Sequence, residues 1–177
     1  MSEKTKIVEF IKRAPKAELH LHIEGTLEPS HLFKLAKKNN IKIPFSNVSE
    51  IKSAYNFSNL ESFLKIFYQG SRVLIKEQDF FDLTWAYVMK CRENNVVHAE
   101  IFFDPQTHVN RGINFDIVIN GIHKALQKAN KEFGLTSEII MCFLRHLDEA
   151  SGFKILDLAL PHKDKIIGVG IDSSEIG

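Results

Sequence analysis

Ala17-Glu18-Leu19-His20-Leu21-His22-Ile23 alternates apolar and polar residues without a break, the period of two expected of a β-strand. Gly25 then permits a tight turn, Pro29-Ser30 opens a helical segment, and Asn39-Asn40 closes it. Apolar residues return every three to four positions from 59 to 75 and from 79 to 93, which predicts two amphipathic helices. A second apolar run follows, Val96-Val97-His98-Ala99-Glu100-Ile101-Phe102-Phe103, closed by Asp104-Pro105. A long helix is predicted over 115–133, stopped by Gly134. The third run is Glu138-Ile139-Ile140-Met141-Cys142-Phe143-Leu144, a helix over 149–160 leads to Pro161, and the fourth run is Ile166-Ile167-Gly168-Val169-Gly170-Ile171. Strand alternating with helix predicts an α/β fold with a parallel sheet, and the apolar second to fourth runs read as strands covered on both faces.

Each run ends in polar residues: His20, His22 and Glu24; Asp104, Gln106 and His108; Arg145, His146 and Asp148; Asp172, Ser173, Ser174 and Glu175. Parallel α/β folds bind ligands at the carboxyl ends of their strands, so these four ends together mark a candidate site. His20 and His22 are two apart on a strand and point to one side. Two neutral imidazoles aimed together suit Zn²⁺ or Fe²⁺, and equally suit two satisfied polar side chains on an open strand face. A catalytic zinc site needs a third protein ligand, for which His98, His108, His146 and Asp172 are candidates. His98 reads as a packed mid-strand residue, and His31, His123 and His162 as surface residues. Glu24 is either a surface carboxylate or one beside the metal, and Asp172 either a helix N-cap or a site residue. His22-Ile23-Glu24 also matches half of the cytidine-type deaminase motif, but the Cys-x-x-Cys it requires is absent from the sequence. Gly168-Val169-Gly170 lacks the third glycine of a dinucleotide fingerprint. Phe57, Phe63, Phe67, Phe80 and Phe81 lie on helical stretches and read as core.

The composition bounds the partners. The 177 residues are 44% apolar and suffice for one domain with a real core. Lys and Arg number 23 against 22 Asp and Glu, a balance that gives no reason to expect nucleic acid or an anionic membrane. No apolar run approaches the ~20 residues of a membrane helix, and no secretion signal is read at the N-terminus. Two cysteines, Cys91 and Cys142, cannot build a disulfide framework or a four-cysteine zinc site, and cytoplasm is the expected location.

The block Pro15-Lys16-Ala17-Glu18-Leu19-His20-Leu21-His22-Ile23-Glu24-Gly25-Thr26-Leu27-Glu28-Pro29 resembles the opening signature of the adenosine and adenine deaminases of the amidohydrolase superfamily. Three further blocks agree: His98 to His108, Cys142-Phe143-Leu144-Arg145-His146-Leu147, and Gly168-Val169-Gly170-Ile171-Asp172-Ser173-Ser174-Glu175. The adenine branch is the nearer, because the adenosine branch usually carries Leu-Asp-Gly at Ile23-Glu24-Gly25 and Asp-Leu-Ala-Gly at Asp172 to Glu175.

The resemblance implies a TIM-type (β/α)8 barrel of which this chain covers about the first four β/α units. Residues 1–177 then read as the N-terminal half of a single metal-dependent deaminase barrel domain. It implies one Zn²⁺ with His20 and His22 as ligands, and hydrolytic deamination of adenine, a small-molecule purine, to hypoxanthine and ammonia. Glu24, Asp172 and Glu175 are expected at the substrate, with Glu24 and Glu175 filling the space of an absent sugar and meeting the N9–H edge of adenine. The family's catalytic glutamate, in a His-Ala-Gly-Glu block, has no matching position up to Gly177. The chain alone is therefore expected to be inactive, and to self-associate or pair with a C-terminal half through its open barrel edges. The alternatives are a nucleoside deaminase acting on adenosine and a non-catalytic half-barrel that binds metal or ligand without turnover.

Overall fold

The computed structural model describes residues 2–175, so Met1, Ile176 and the terminal Gly177 lie outside the described residues. Four strands, β1 (Lys16–His22), β2 (Val96–Phe103), β3 (Thr136–Leu144) and β4 (Gly168–Asp172), form one sheet in the order β1-β2-β3-β4. Every pair is parallel. Parallel neighbours require a crossover between them, and helices supply it. Between β1 and β2 run a 3-10 turn (Ile23–Thr26) and helices α2 (Pro29–Lys38), α3 (Val48–Ala54), α4 (Leu60–Ser71) and α5 (Glu77–Glu93). Helices α6 (Pro105–Val109) and α7 (Phe115–Phe133) join β2 to β3, and α8 (Glu149–Ala159) leads to β4. Helix α1 (Glu3–Arg13) precedes the sheet.

The long helices fall where the apolar period placed them, and their ends follow local chemistry. The Asn114 side chain accepts from the Asp116 N–H to open α7, and Gly134 closes it with φ +73°, a left-handed conformation that favours glycine. Asn59 and Ser62 cap α4 reciprocally. Asp79 opens α5 by accepting from the Ile75 and Lys76 N–H groups. Three further helices, α1, α3 and α6, lie outside the segments marked by the apolar period. Helices α3 and α6 are short, and α1 buries no residue, leaving Ile7, Phe10 and Ile11 exposed.

One layer of core lies between sheet and helices. Ala99, Ile101 and Phe103 of β2 are fully buried against Phe80, Leu83, Phe115 and Ile122. Each such large side chain stabilises by about 1.5–3 kcal/mol relative to exposure. Helices α5 and α7 touch at Gly121, where an added Cβ would stand 2.5 Å from the Glu77 carbonyl oxygen.

Coverage on both strand faces, expected from the apolar runs, is found only in part. On β2 the alternate residues His98, Glu100 and Phe102 remain half-buried, across from Thr136, Glu138 and Ile140 of β3. On β4, Val169 and Ile171 are 59% and 61% exposed. Among the described strands, β1 and β4 each pair on one edge. His98 is correspondingly not packed; its Nδ1 lies 2.8 Å from Thr136 Oγ1 at a half-open position. His31, His123 and His162, read as surface residues, are half-buried, and His162 Nε2 lies 2.6 Å from Asp116 Oδ1.

Candidate active site

The carboxyl ends of the four strands converge. His20 and His22 share one side of β1, as their spacing requires, with ring centroids 5.5 Å apart. Both rings lie against Phe102 of the neighbouring strand, at 4.4 and 5.2 Å. His22 Nδ1 is 3.1 Å from Asp172 Oδ2 and 3.6 Å from Asp104 Oδ1. Ligating atoms of His22, Asp104, Cys142 and Asp172 all lie within 4.8 Å of one another. His20 stands beside this cluster without joining it. Asp172 is the last residue of β4 and not a helix cap.

The charges explain one another. Burial alone would lower the His22 pKa, yet hydrogen bonds and charge from Asp104 and Asp172 raise it to about 10. Burial and the Glu24 charge push Asp104 well above the carboxylate range. Asp172, although burial opposes its charge, is held below that range by hydrogen bonds to His22 and Asp104. Burial and three nearby carboxylates push the Cys142 thiol up. Asp104 Oδ1 and Asp172 Oδ1 are buried without a hydrogen-bond partner. This donor set of imidazole, thiol and carboxylate, with two buried carboxylate oxygens unpartnered, fits a zinc ion.

Glu24 sits in the turn after β1 and is 3% exposed, not on the surface. Its Oε1 accepts from the Asp104 N–H and faces His108 Nε2, each at 3.0 Å, while its Oε2 has no hydrogen-bond partner. Burial raises its pKa to about 7, against the pull of the Asp104 N–H. Glu175 is exposed and accepts from Arg145 Nη1 at 3.2 Å. His146 is exposed too, with Nδ1 2.9 Å from Ser173 Oγ, which in turn accepts from Tyr68 Oη at 2.6 Å.

A cavity of about 530 Å³ opens beside the cluster, a size suited to a small molecule. His20, His22, Asp104 and Asp172 supply its polar floor, and Phe63 and Phe67 of α4 its apolar wall. The helical phenylalanines are thus not all core. Phe80 is buried, but Phe57, Phe63 and Phe67 form a chain of ring contacts toward the cavity. Asp104 and Cys142 escaped assignment to a metal. Their only sequence signals are local: Asp104-Pro105 ends a strand, and Cys142 lies within the apolar third run.

The family profile described as adenosine deaminase matches residues 15–177. The chain belongs to the adenosine deaminase family. It is 59% identical over 171 residues to an adenine deaminase of Psychrobacter cryohalolentis, covering 97% of this chain and 52% of that protein. With an adenine deaminase of Vibrio parahaemolyticus it shares 60% identity over 168 residues, 95% of this chain and 50% of the relative. The chain thus spans about half the length of the curated relatives it matches. The crystal structure of adenine deaminase from Arthrobacter aurescens superposes with a TM-score of 0.88 at 43% identity, over 92% of this chain and 50% of that one. A zinc-bound amidohydrolase from Burkhoderia ambifaria shares the fold, with a TM-score of 0.83 at 23% identity over 99% of this chain and 48% of that one. The four parallel strands are therefore the curled half of a (β/α)8 barrel.

Proposed function

We propose that this chain contributes the first half of a zinc-dependent adenine deaminase, and that residues 1–177 are the N-terminal half of its single barrel domain. The observation that carries the reading is the buried Glu24 with an unpartnered Oε2, beside a cluster of imidazole, thiol and carboxylate donors. Relatives named adenine deaminase, 53–60% identical over nearly the whole chain, support the choice of substrate.

His20 and His22 are assigned to the zinc, with Asp104, Cys142 and Asp172 within reach of the same ion. Zinc there supplies water activated for attack near neutral pH. The other groups bind and orient. Phe63 and Phe67 offer apolar faces on which a purine ring lies out of water. Glu24 lines a smaller cavity that shares Phe63 and Phe67 with the first, and we assign its unpartnered Oε2 to an N–H of the free base, where a nucleoside would carry its sugar. Asp172 and Glu175 complete the substrate side, Asp172 at the floor of the cavity and Glu175 at its mouth. The curated relatives are about twice as long as this chain, and we place the remainder of the barrel, with the family's His-Ala-Gly-Glu block, on the open edges of β1 and β4. No helix among the described residues is long and apolar enough to cross a membrane, and the free thiols Cys91 and Cys142 agree with a cytoplasmic location.

The test is turnover by the contiguous full-length protein, with adenine and adenosine as competing substrates. Hypoxanthine and ammonia from adenine are expected. Inosine from adenosine, with adenine untouched, would assign the nucleoside. Bound zinc without ammonia release from either would assign a binding subunit.

A further inference from the structure

Arg111 follows α6 and does not line the cavity. Its guanidinium is nevertheless tied on every side. Nε donates to the Thr107 carbonyl at 3.1 Å and Nη1 to the Arg72 carbonyl at 3.1 Å. Nη2 donates to the Ser71 and Leu74 carbonyls, each at 3.2 Å, and lies 2.9 Å from His108 Nδ1. His108 is wholly buried, with the Phe80 ring edge-on at 4.8 Å.

A guanidinium has five N–H donors and no acceptor. Against Arg111, His108 Nδ1 must present its lone pair, and a neutral imidazole then carries its proton on Nε2. That nitrogen is the one 3.0 Å from Glu24 Oε1. We infer that Arg111 is a positioning residue for the candidate site: through His108 it fixes the Nε2–H tautomer that holds Glu24 Oε1 and leaves Oε2 as the carboxylate oxygen without a partner. The Asp104 N–H is the second donor to Oε1, so that oxygen is saturated while Oε2 is not. Burial and the Arg111 charge also lower the His108 pKa to about 3, which keeps the ring neutral near pH 7.

The relay is read on the 177-residue protein labelled with ¹⁵N-histidine, by long-range ¹H–¹⁵N spectra at neutral pH. His108 is expected as a single neutral tautomer protonated on Nε2. Arg111→Met removes the donor that faces Nδ1, so a second neutral tautomer protonated on Nδ1 should appear beside the first. Arg111→Lys, which keeps a charged N–H donor, should restore the single tautomer. A wild-type ring protonated on Nδ1, or an unchanged His108 spectrum in Arg111→Met, would overturn the inference. If that variant does not fold, the wild-type tautomer decides alone. The consequence for substrate rests on the reading of Glu24 above. In the full-length protein Arg111→Met should raise KM for adenine about tenfold with kcat little changed, as loss of one charge-assisted hydrogen bond predicts. An altered spectrum with an unchanged KM would remove Glu24 from the substrate and leave the relay intact.

Discussion

Replacing Asp79 by alanine should destabilise the fold severely although the residue is remote from the strand ends. Asp79 is 0% exposed and accepts four hydrogen bonds: Lys38 Nζ at 2.8 Å on Oδ1, and Asn39 Nδ2, Ile75 N and Lys76 N at 2.7, 3.1 and 2.9 Å on Oδ2. It thereby joins the end of α2 to the start of α5. Alanine leaves two backbone N–H groups and an amide without their acceptor, each worth about 1–3 kcal/mol when buried. With partial rescue by water, the net loss is about 3 kcal/mol, a large share of the 5–15 kcal/mol of an ordinary domain. Lys38 is partly exposed, so its removal should cost less than about 1 kcal/mol. The pH dependence follows from the carboxylate. Burial opposes its charge, but Lys38, the two backbone N–H groups and Asn39 together hold its pKa below the usual value. A depressed folded pKa stabilises above the unfolded value and is lost as pH falls through the folded one. Urea titrations at neutral and acidic pH measure this directly. The wild-type advantage over Asp79→Ala should be full at pH 7 and shrink in acid. Equal costs for Lys38→Met and Asp79→Ala, or a cost for Asp79→Ala under about 1 kcal/mol, would refute the reasoning.

Gly121→Ala should also destabilise. Alanine favours a helix by up to about 1 kcal/mol, but its Cβ would meet the Glu77 carbonyl at 2.5 Å and Phe80 Cβ at 2.6 Å, and overpacking costs about 1–3 kcal/mol or more; a raised urea midpoint would contradict this. His22→Ala should abolish zinc retention through dialysis, read by metal analysis, and undiminished zinc would remove His22 from the site. Glu24→Asp, which withdraws the carboxylate by one methylene, should raise KM for adenine about tenfold in the full-length protein with kcat little changed. An unchanged KM would show that Glu24 does not meet the base.

Much of the fold was legible because its causes are local. A period of two sets both imidazoles of His20 and His22 on one side of β1, whatever the rest of the chain does. The apolar period and the left-handed Gly134 delimit α7 at both ends. Helix α1 shows the converse: Ile7, Val8, Phe10 and Ile11 recur at helical spacing, yet all four stay exposed and no described residue covers them, so the stripe names no partner.

The site divides along the same line. That four strand ends carry polar residues is visible in the sequence, because each end is a local event. Which of those residues meet is decided by sheet order, register and the shifts in β1, which bring His22, Asp104, Cys142 and Asp172 together from four strands. The pairing of Glu24 with His108 spans 84 residues and depends on α6 turning its histidine back beneath the sheet end. Local periodicity dictates where a side chain points; only the assembled sheet dictates what it finds there.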